Sequence, residues 1–274
     1  MLIKVPEQEA QFINLLNNHL KGLFLESILA FYVIGSLARG GYSRECSDID
    51  LLVVLKSPMV DLYLEKIDMF NEFISSNESP LADKISLFYG TIDSFNSGDE
   101  RTRLPAYDKQ DLKAHGLLIS GNDIRDDIVT PSQDEILLEG VQAYFDYFNM
   151  KDVKKDVYDL KNMVIKKETK KLSKLILLPI RFLHSLYESS IATCENAVKS
   201  FLLRSNNINE SELASFALVL RGDISTLDNF STFYNPSETL KNIYVEFFKQ
   251  YELKLGSLSQ NELALKCTNA IKMF

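Results

Sequence analysis

The chain has 274 residues, 46% apolar and 25% charged, which is ordinary globular composition with enough apolar material for two compact domains and excludes a disordered protein. Its formal charge of −8 argues against broad, non-specific nucleic-acid binding, which needs a basic surface to displace counterions from phosphates. An acidic protein that handles a polyphosphate needs metal ions or a local basic patch to offset repulsion.

Along the chain, Pro6 with Glu7 and Glu9 opens a helix, and Phe12, Leu15, Leu16, Leu20, Leu23, Phe24 and Ile28 follow at helical spacing. FYVIG is a short β-rich run ending at glycine, and DIDLLVVL reads as a buried strand closed by Ser57 and Pro58. Residues 59–76 read as a helix with Leu62, Ile67, Phe70 and Phe73 on its core face, and ISLFYGTI at 85–92 fits a third strand. This alternation predicts an α/β layer with helices packed on a sheet. SGDERTRLPAYDKQ is a long polar connection, a short helix fits 111–118 with a stop at Gly121, and Thr130-Pro131-Ser132 marks a boundary. Beyond it no strand is predicted. A stripe through Val157, Leu160, Val164, Leu172, Ile176, Leu183, Leu186, Ile191, Val198 and Leu202 is helical, with Pro179 expected to kink or divide it. Further helices fit 209–221, 236–253 and 259–272, so the expected organisation is an α/β domain over 1–130 and an antiparallel helical bundle over 131–274.

Cys46, Cys194 and Cys267 are too few and too scattered for a disulfide framework or a four-ligand zinc site, which predicts a reducing, cytoplasmic location. The opening MLIKVPEQEAQF lacks the apolar core of a signal peptide, and no apolar run approaches the ~20 residues that span a bilayer, so no membrane partner is expected.

The stretch with chemical content is VIGSLARGGYSRECSDIDLLVVL, residues 33–55. Residues two apart on a strand share a face, so Asp48 and Asp50 present their carboxylates side by side and repel unless a cation sits between them. Oxygen ligands of this kind suit Mg²⁺, and a pair of ions ~3.5–4 Å apart would stabilise both oxygens of an in-line displacement. Gly35 and Ser36 end the preceding strand, and LARGG begins a helix whose unpaired N–H groups attract phosphate. Arg39 adds a positive charge for the same phosphates. The bland alternative, in which Asp48 caps a turn, leaves Asp50 unexplained, because a carboxylate inside an apolar strand is costly unless paired or metal-bound.

Gly35-Ser36, an interval of eleven residues, and Asp48-Ile49-Asp50 at the head of an apolar strand resemble the signature of the polymerase-β-like nucleotidyltransferase superfamily. Its members move a nucleoside monophosphate from an NTP to a hydroxyl or similar acceptor and release pyrophosphate. The domain order also resembles the aminoglycoside nucleotidyltransferases and the minimal nucleotidyltransferases of toxin–antitoxin pairs, and the specific likeness covers roughly residues 30–125. It implies an α/β nucleotidyltransferase domain, a mixed sheet with flanking helices, followed by an all-α helical bundle. It further implies Asp48 and Asp50 as catalytic ligands of two Mg²⁺ ions, and Gly35, Ser36, Arg39 and Ser47 as nucleotide-binding residues. The implied substrates are an NTP, with ATP the first choice, and a hydroxyl on a small molecule or protein.

The same resemblance implies a third carboxylate on a neighbouring strand, and the aligned position holds Ser86, which cannot serve as an acid or base. Asp83, Asp93, Glu100 and Asp108 lie nearby; strand parity puts Asp83 on the face opposite Ser86 and Asp93 at the far end. The segment RTRLPAYDKQDLKAHG gathers Arg101, Arg103, Asp108, Asp111 and His115, either as substrate contacts or as ordinary surface, with His115 read as a helix-end cation. Residues 151–205 hold twelve Lys/Arg against six Asp/Glu. Lys154, Lys155, Lys166, Lys167, Lys170, Lys171 and Lys174 either attract triphosphate or form a solvated helix face. Two functions remain open: a transferase, and a nucleotide- or partner-binding module that kept the fold and lost turnover.

Overall fold

A computed structural model describes residues 5–57, 61–97 and 104–274. Two compact units divide the chain: Met1–Tyr42 with Ser47–Ser132, and Ser43–Cys46 with Gln133–Phe274.

In the first unit, α1 (Glu7–Phe24) buries Phe12, Ile13, Leu16, Leu20 and Phe24, while Leu15 stays exposed. It is followed by β1 (Ile28–Ile34), α2 (Gly35–Arg39), β2 (Ile49–Leu55), α3 (Asp61–Ser75), β3 (Ile85–Gly90), α4 (Ile92–Ser97), α5 (Ala106–His115) and β4 (Leu117–Gly121). The sheet runs β3-β2-β1-β4, with β1 antiparallel to β2 and β4, and β2 parallel to β3. This is the expected mixed sheet with flanking helices. Its two central strands read as nearly unbroken apolar runs because both faces are covered. Phe31, Val33, Ile49, Leu51 and Val53 join the core formed with α1 and α3. Tyr32, Ile34, Leu52 and Val54 pack on the other face with Phe95, Leu104 and Leu112.

Three local readings are corrected. On α3 the expected Ile67 and Phe70 are buried and Phe73 is partly buried, but Leu62 is exposed and Ile74 completes the core face. The third strand stops at Gly90, because Thr91 and Ser94 cap α4 reciprocally: Ser94 N donates to Thr91 Oγ1 at 3.1 Å and Thr91 N to Ser94 Oγ at 2.9 Å. The helix placed at 111–118 ends at His115, and Leu117–Gly121 is a strand. Pairing with the open edge of β1, Val33↔Leu117 through Ala30↔Gly121, satisfies a row of backbone groups that no local propensity reveals. Gly121 is therefore no helix stop; a Cβ there would lie 2.2 Å from the Leu29 carbonyl oxygen.

The second unit contains no strand among the described residues. Its helices are α6 (Gln133–Tyr147), α7 (Met150–Tyr158), α8 (Leu160–Ile165), α9 (Thr169–Glu188), α10 (Cys194–Arg204), α11 (Ile208–Leu220), α12 (Pro236–Ser257) and α13 (Asn261–Met273). The predicted stripe falls on four of them, α7 to α10, and none of the breaks is at Pro179, which lies inside α9. Proline has no N–H, so the Leu175 carbonyl four residues earlier loses its helix partner. The Tyr244 hydroxyl of α12 donates to that carbonyl at 2.9 Å. Tyr244→Phe is expected to cost about 1–3 kcal/mol by leaving a buried acceptor unpaired. The measurement is the urea midpoint at unchanged m-value; a wild-type midpoint would show that Leu175 finds another donor.

The seven lysines of the basic segment are all exposed on this unit, as a solvated helix face would be. Tyr187 is 41% exposed, with the Arg204 guanidinium carbon 5.2 Å from its ring centroid. All three cysteines are buried and free. Among the described residues no helix is long and apolar enough to cross a membrane.

Candidate active site

The site begins where β1 ends. Ile34 pairs with Asp50 across the antiparallel ladder, so the next residue, Gly35, is delivered against the Asp50 side chain. Gly35 has φ +71°, and a Cβ on it would lie 2.0 Å from Asp50 Oδ2. Only glycine allows both the backbone conformation and the approach of the carboxylate. Gly35→Ala is thus expected to incur about 1–2 kcal/mol of left-handed strain and to displace Asp50. A lowered melting temperature together with lost Mg²⁺-dependent nucleotide binding is the expected result; wild-type nucleotide affinity would show that the close packing has no role in binding.

From Gly35 the chain turns at once into the five-residue α2. The Gly35 N–H donates to Asp111 Oδ2 at 2.7 Å, and Arg39 Nη1 donates to Asp111 Oδ1 at 2.5 Å. The Arg39 and Asp111 side chains are 7% and 1% exposed. Tyr107 of α5 presents its ring 5.9 Å from the Arg39 guanidinium carbon, and the Arg39 Nε is buried with no hydrogen-bond partner. Magnitudes decide where Arg39 stays. Stripping one partner from a buried ion pair costs about 3–5 kcal/mol. A charge at a helix end is worth about 0.3–1 kcal/mol. The Arg39 charge expected to face phosphate is neutralised inside the fold.

The chain returns through Tyr42, whose hydroxyl donates to Oε1 of the fully buried Glu9 at 3.2 Å. Ser47 is buried, and Asp48 is partly buried just ahead of the strand, because β2 starts at Ile49. Asp50, also partly buried, lies in β2 and shares a face with Leu52 and Val54. The parallel register sets Ser86 of β3 beside Asp50, which places serine where the resemblance implies the third acid.

None of the described alternative acids lies on β3 with Ser86. Asp83 is exposed in a 3-10 turn before β3, so strand parity does not govern its direction. Asp93 is exposed on α4, and Asp108 is in the first turn of α5. Glu100, Arg101 and Arg103 lie outside the described residues. Among the described residues, no three or more His, Cys, Asp or Glu side chains form a group that would hold a metal ion. His115 is the exposed last residue of α5. Asp111 is the residue that sequence reading passed over as one charge among several. Its only local signal was its place next to the core residue Leu112.

A glycine turn laid against the carboxylate of the following strand, on a mixed four-stranded sheet, defines a class. Residues 13–119 match the family model described as a nucleotidyltransferase domain, which supports the polymerase-β-like superfamily. Among solved structures, the chain is similar to spectinomycin adenyltransferase from Enterococcus faecialis, determined with ATP and spectinomycin. The TM-score is 0.52 at 15% identity, over 85% of this chain and 99% of that one. A toxin–antitoxin structure determined with AMP-PNP aligns at a TM-score of 0.26 and 18% identity, over 50% of this chain and 86% of that one. No curated protein sequence matches the chain. At 15% identity the likeness to the adenyltransferase shows the fold alone.

Proposed function

We propose that the chain is a Mg²⁺-dependent nucleotidyltransferase that moves NMP, with AMP the first choice, from an NTP to a hydroxyl of a small molecule or protein. The observation that carries this reading is the Asp50 carboxylate packed on Gly35 at the mouth of a nucleotidyltransferase turn. Asp48 and Asp50 are the donors that fit Mg²⁺, since hard cations take one or two carboxylates and fill the remaining positions with water and phosphate. A Mg²⁺ ion held by these two residues would neutralise charge on the triphosphate. Ser36 and Ser47 supply hydroxyls for the phosphates, and Gly35 and Arg39 serve by shaping the turn. The acceptor oxygen forms a bond to the α-phosphorus, the α–β bridging P–O bond breaks, pyrophosphate leaves, and the acceptor proton passes to solvent or to a base. ATP is the nucleotide to test first, because the similar adenyltransferase structure contains ATP.

A second reading has its own support. Ser86 stands beside Asp50 where an acid is expected, which favours slow or acceptor-restricted transfer and, at the limit, a nucleotide-binding module without turnover. Calorimetry with ATP, with and without Mg²⁺, tests the common part of both readings, and pyrophosphate release against a metabolite and protein panel separates them. Equal ATP affinity in the presence and absence of Mg²⁺ would sink the first, and no ATP binding under either condition would sink both.

A further inference from the structure

We infer that Asp111 is the positioning residue of this site: it anchors the Gly35-Ser36 turn through the Gly35 amide, and Arg39 serves as its internal counter-ion. The inference rests on the nucleotidyltransferase reading above and goes beyond it in assigning a role to an acid outside the Asp48/Asp50 pair.

Asp111 is 76 residues from Gly35 in sequence, 1% exposed, and has both oxygens committed, Oδ2 to the Gly35 N–H and Oδ1 to Arg39. The same Gly35 leaves room for Asp50 Oδ2 where a Cβ would otherwise lie. The glycine thus meets two carboxylates, one anchoring its amide and one poised for metal. Movement of the amide by a few tenths of an ångström would carry over to the Asp50 contact, where there is no slack. A carboxylate beside a phosphate-binding turn also invites the opposite reading, that it competes with phosphate for the amide and the guanidinium. Burial decides against this, because displacing Asp111 would strand a charge in the interior.

The test compares two double variants of similar volume that differ in whether Gly35 keeps an acceptor. Arg39→Met/Asp111→Asn removes both charges and retains a carbonyl oxygen for the amide; Arg39→Met/Asp111→Leu removes both charges and the acceptor. Replacing a buried ion pair by neutral groups often preserves stability, and urea midpoints verify it. In nucleotide-free protein, Gly35 amide exchange followed by NMR is expected to stay protected in the Asn double variant and to accelerate at least ~10-fold in the Leu double variant. Affinity for Mg²⁺-ATP is expected to be roughly 10–100-fold lower in the Leu double variant than in the Asn double variant.

Undiminished Gly35 protection in the Leu double variant would overturn the anchoring role. Lost protection with unchanged or tighter ATP binding would overturn its importance for the site. If the Leu double variant fails to fold, Asp111→Asn alone decides: the amide is expected to stay protected, and rapid exchange there overturns the proposal. Wild-type protein that binds no Mg²⁺-ATP would instead defeat the nucleotidyltransferase reading, while the exchange comparison still reports on the anchor.

Discussion

Asp48→Asn/Asp50→Asn is expected to reduce NMP transfer by at least ~10³-fold and to abolish Mg²⁺-dependent ATP binding. The two side chains flank the start of β2, where one touches the glycine turn and the other precedes the strand. Asparagine keeps their volume and hydrogen-bonding oxygen but not the negative charge that attracts a divalent cation. Both residues are partly buried, so stability is expected to remain within about 1 kcal/mol of wild type. A thermal readout requires no knowledge of the acceptor. Mg²⁺-ATP at a hundred times its dissociation constant stabilises a protein by about 2.7 kcal/mol, and the double variant should show none of that gain. An undiminished ATP-induced shift in the variant would place the nucleotide elsewhere.

Ser86→Glu and Ser86→Asp are expected to raise single-turnover transfer at least ~10-fold, against the ~10²–10⁴-fold that a well-placed general base supplies. The expectation follows from the parallel register Asp50↔Ser86, since partners on neighbouring strands project from the same face. Serine at its ordinary pKa does not usefully accept the acceptor proton at neutral pH. A carboxylate there would do so, with the gain lost as pH falls through about 4.3. Ser86→Gln is the control for side-chain length and should give no gain. A third acid beside two others also raises repulsion in the metal-free protein, so the Glu and Asp variants should depend more steeply on Mg²⁺ for stability. Brisk wild-type turnover that drops in both acidic variants would show that the base lies elsewhere, with Asp83 and Asp108 the next residues to replace.

The features legible in the chain are those set by short-range spacing. The apolar runs of β1 and β2, the glycine between them and the Asp48-Ile49-Asp50 head of β2 all fall within 28 residues, Ile28 to Leu55, and their periodicity reports burial directly. Pattern also distinguished an α/β half from a helical half, because strand and helix periods differ wherever a face is buried. Ser86 came to notice through family resemblance, and the strand register then set it beside Asp50.

What spacing does not encode is which distant group satisfies which. Leu117–Gly121 has no strong strand signal and becomes one because β1 offers an unpaired edge. Pro179 stays within α9 because a hydroxyl 65 positions later, on Tyr244, takes the carbonyl it leaves open. Arg39, whose direction no local reading fixes, is neutralised by Asp111, and the same carboxylate secures Gly35. Each is a long-range pairing of polar groups in the interior. Local pattern reveals which residues are buried, but only the folded chain shows how buried hydrogen-bonding groups and charges find their partners.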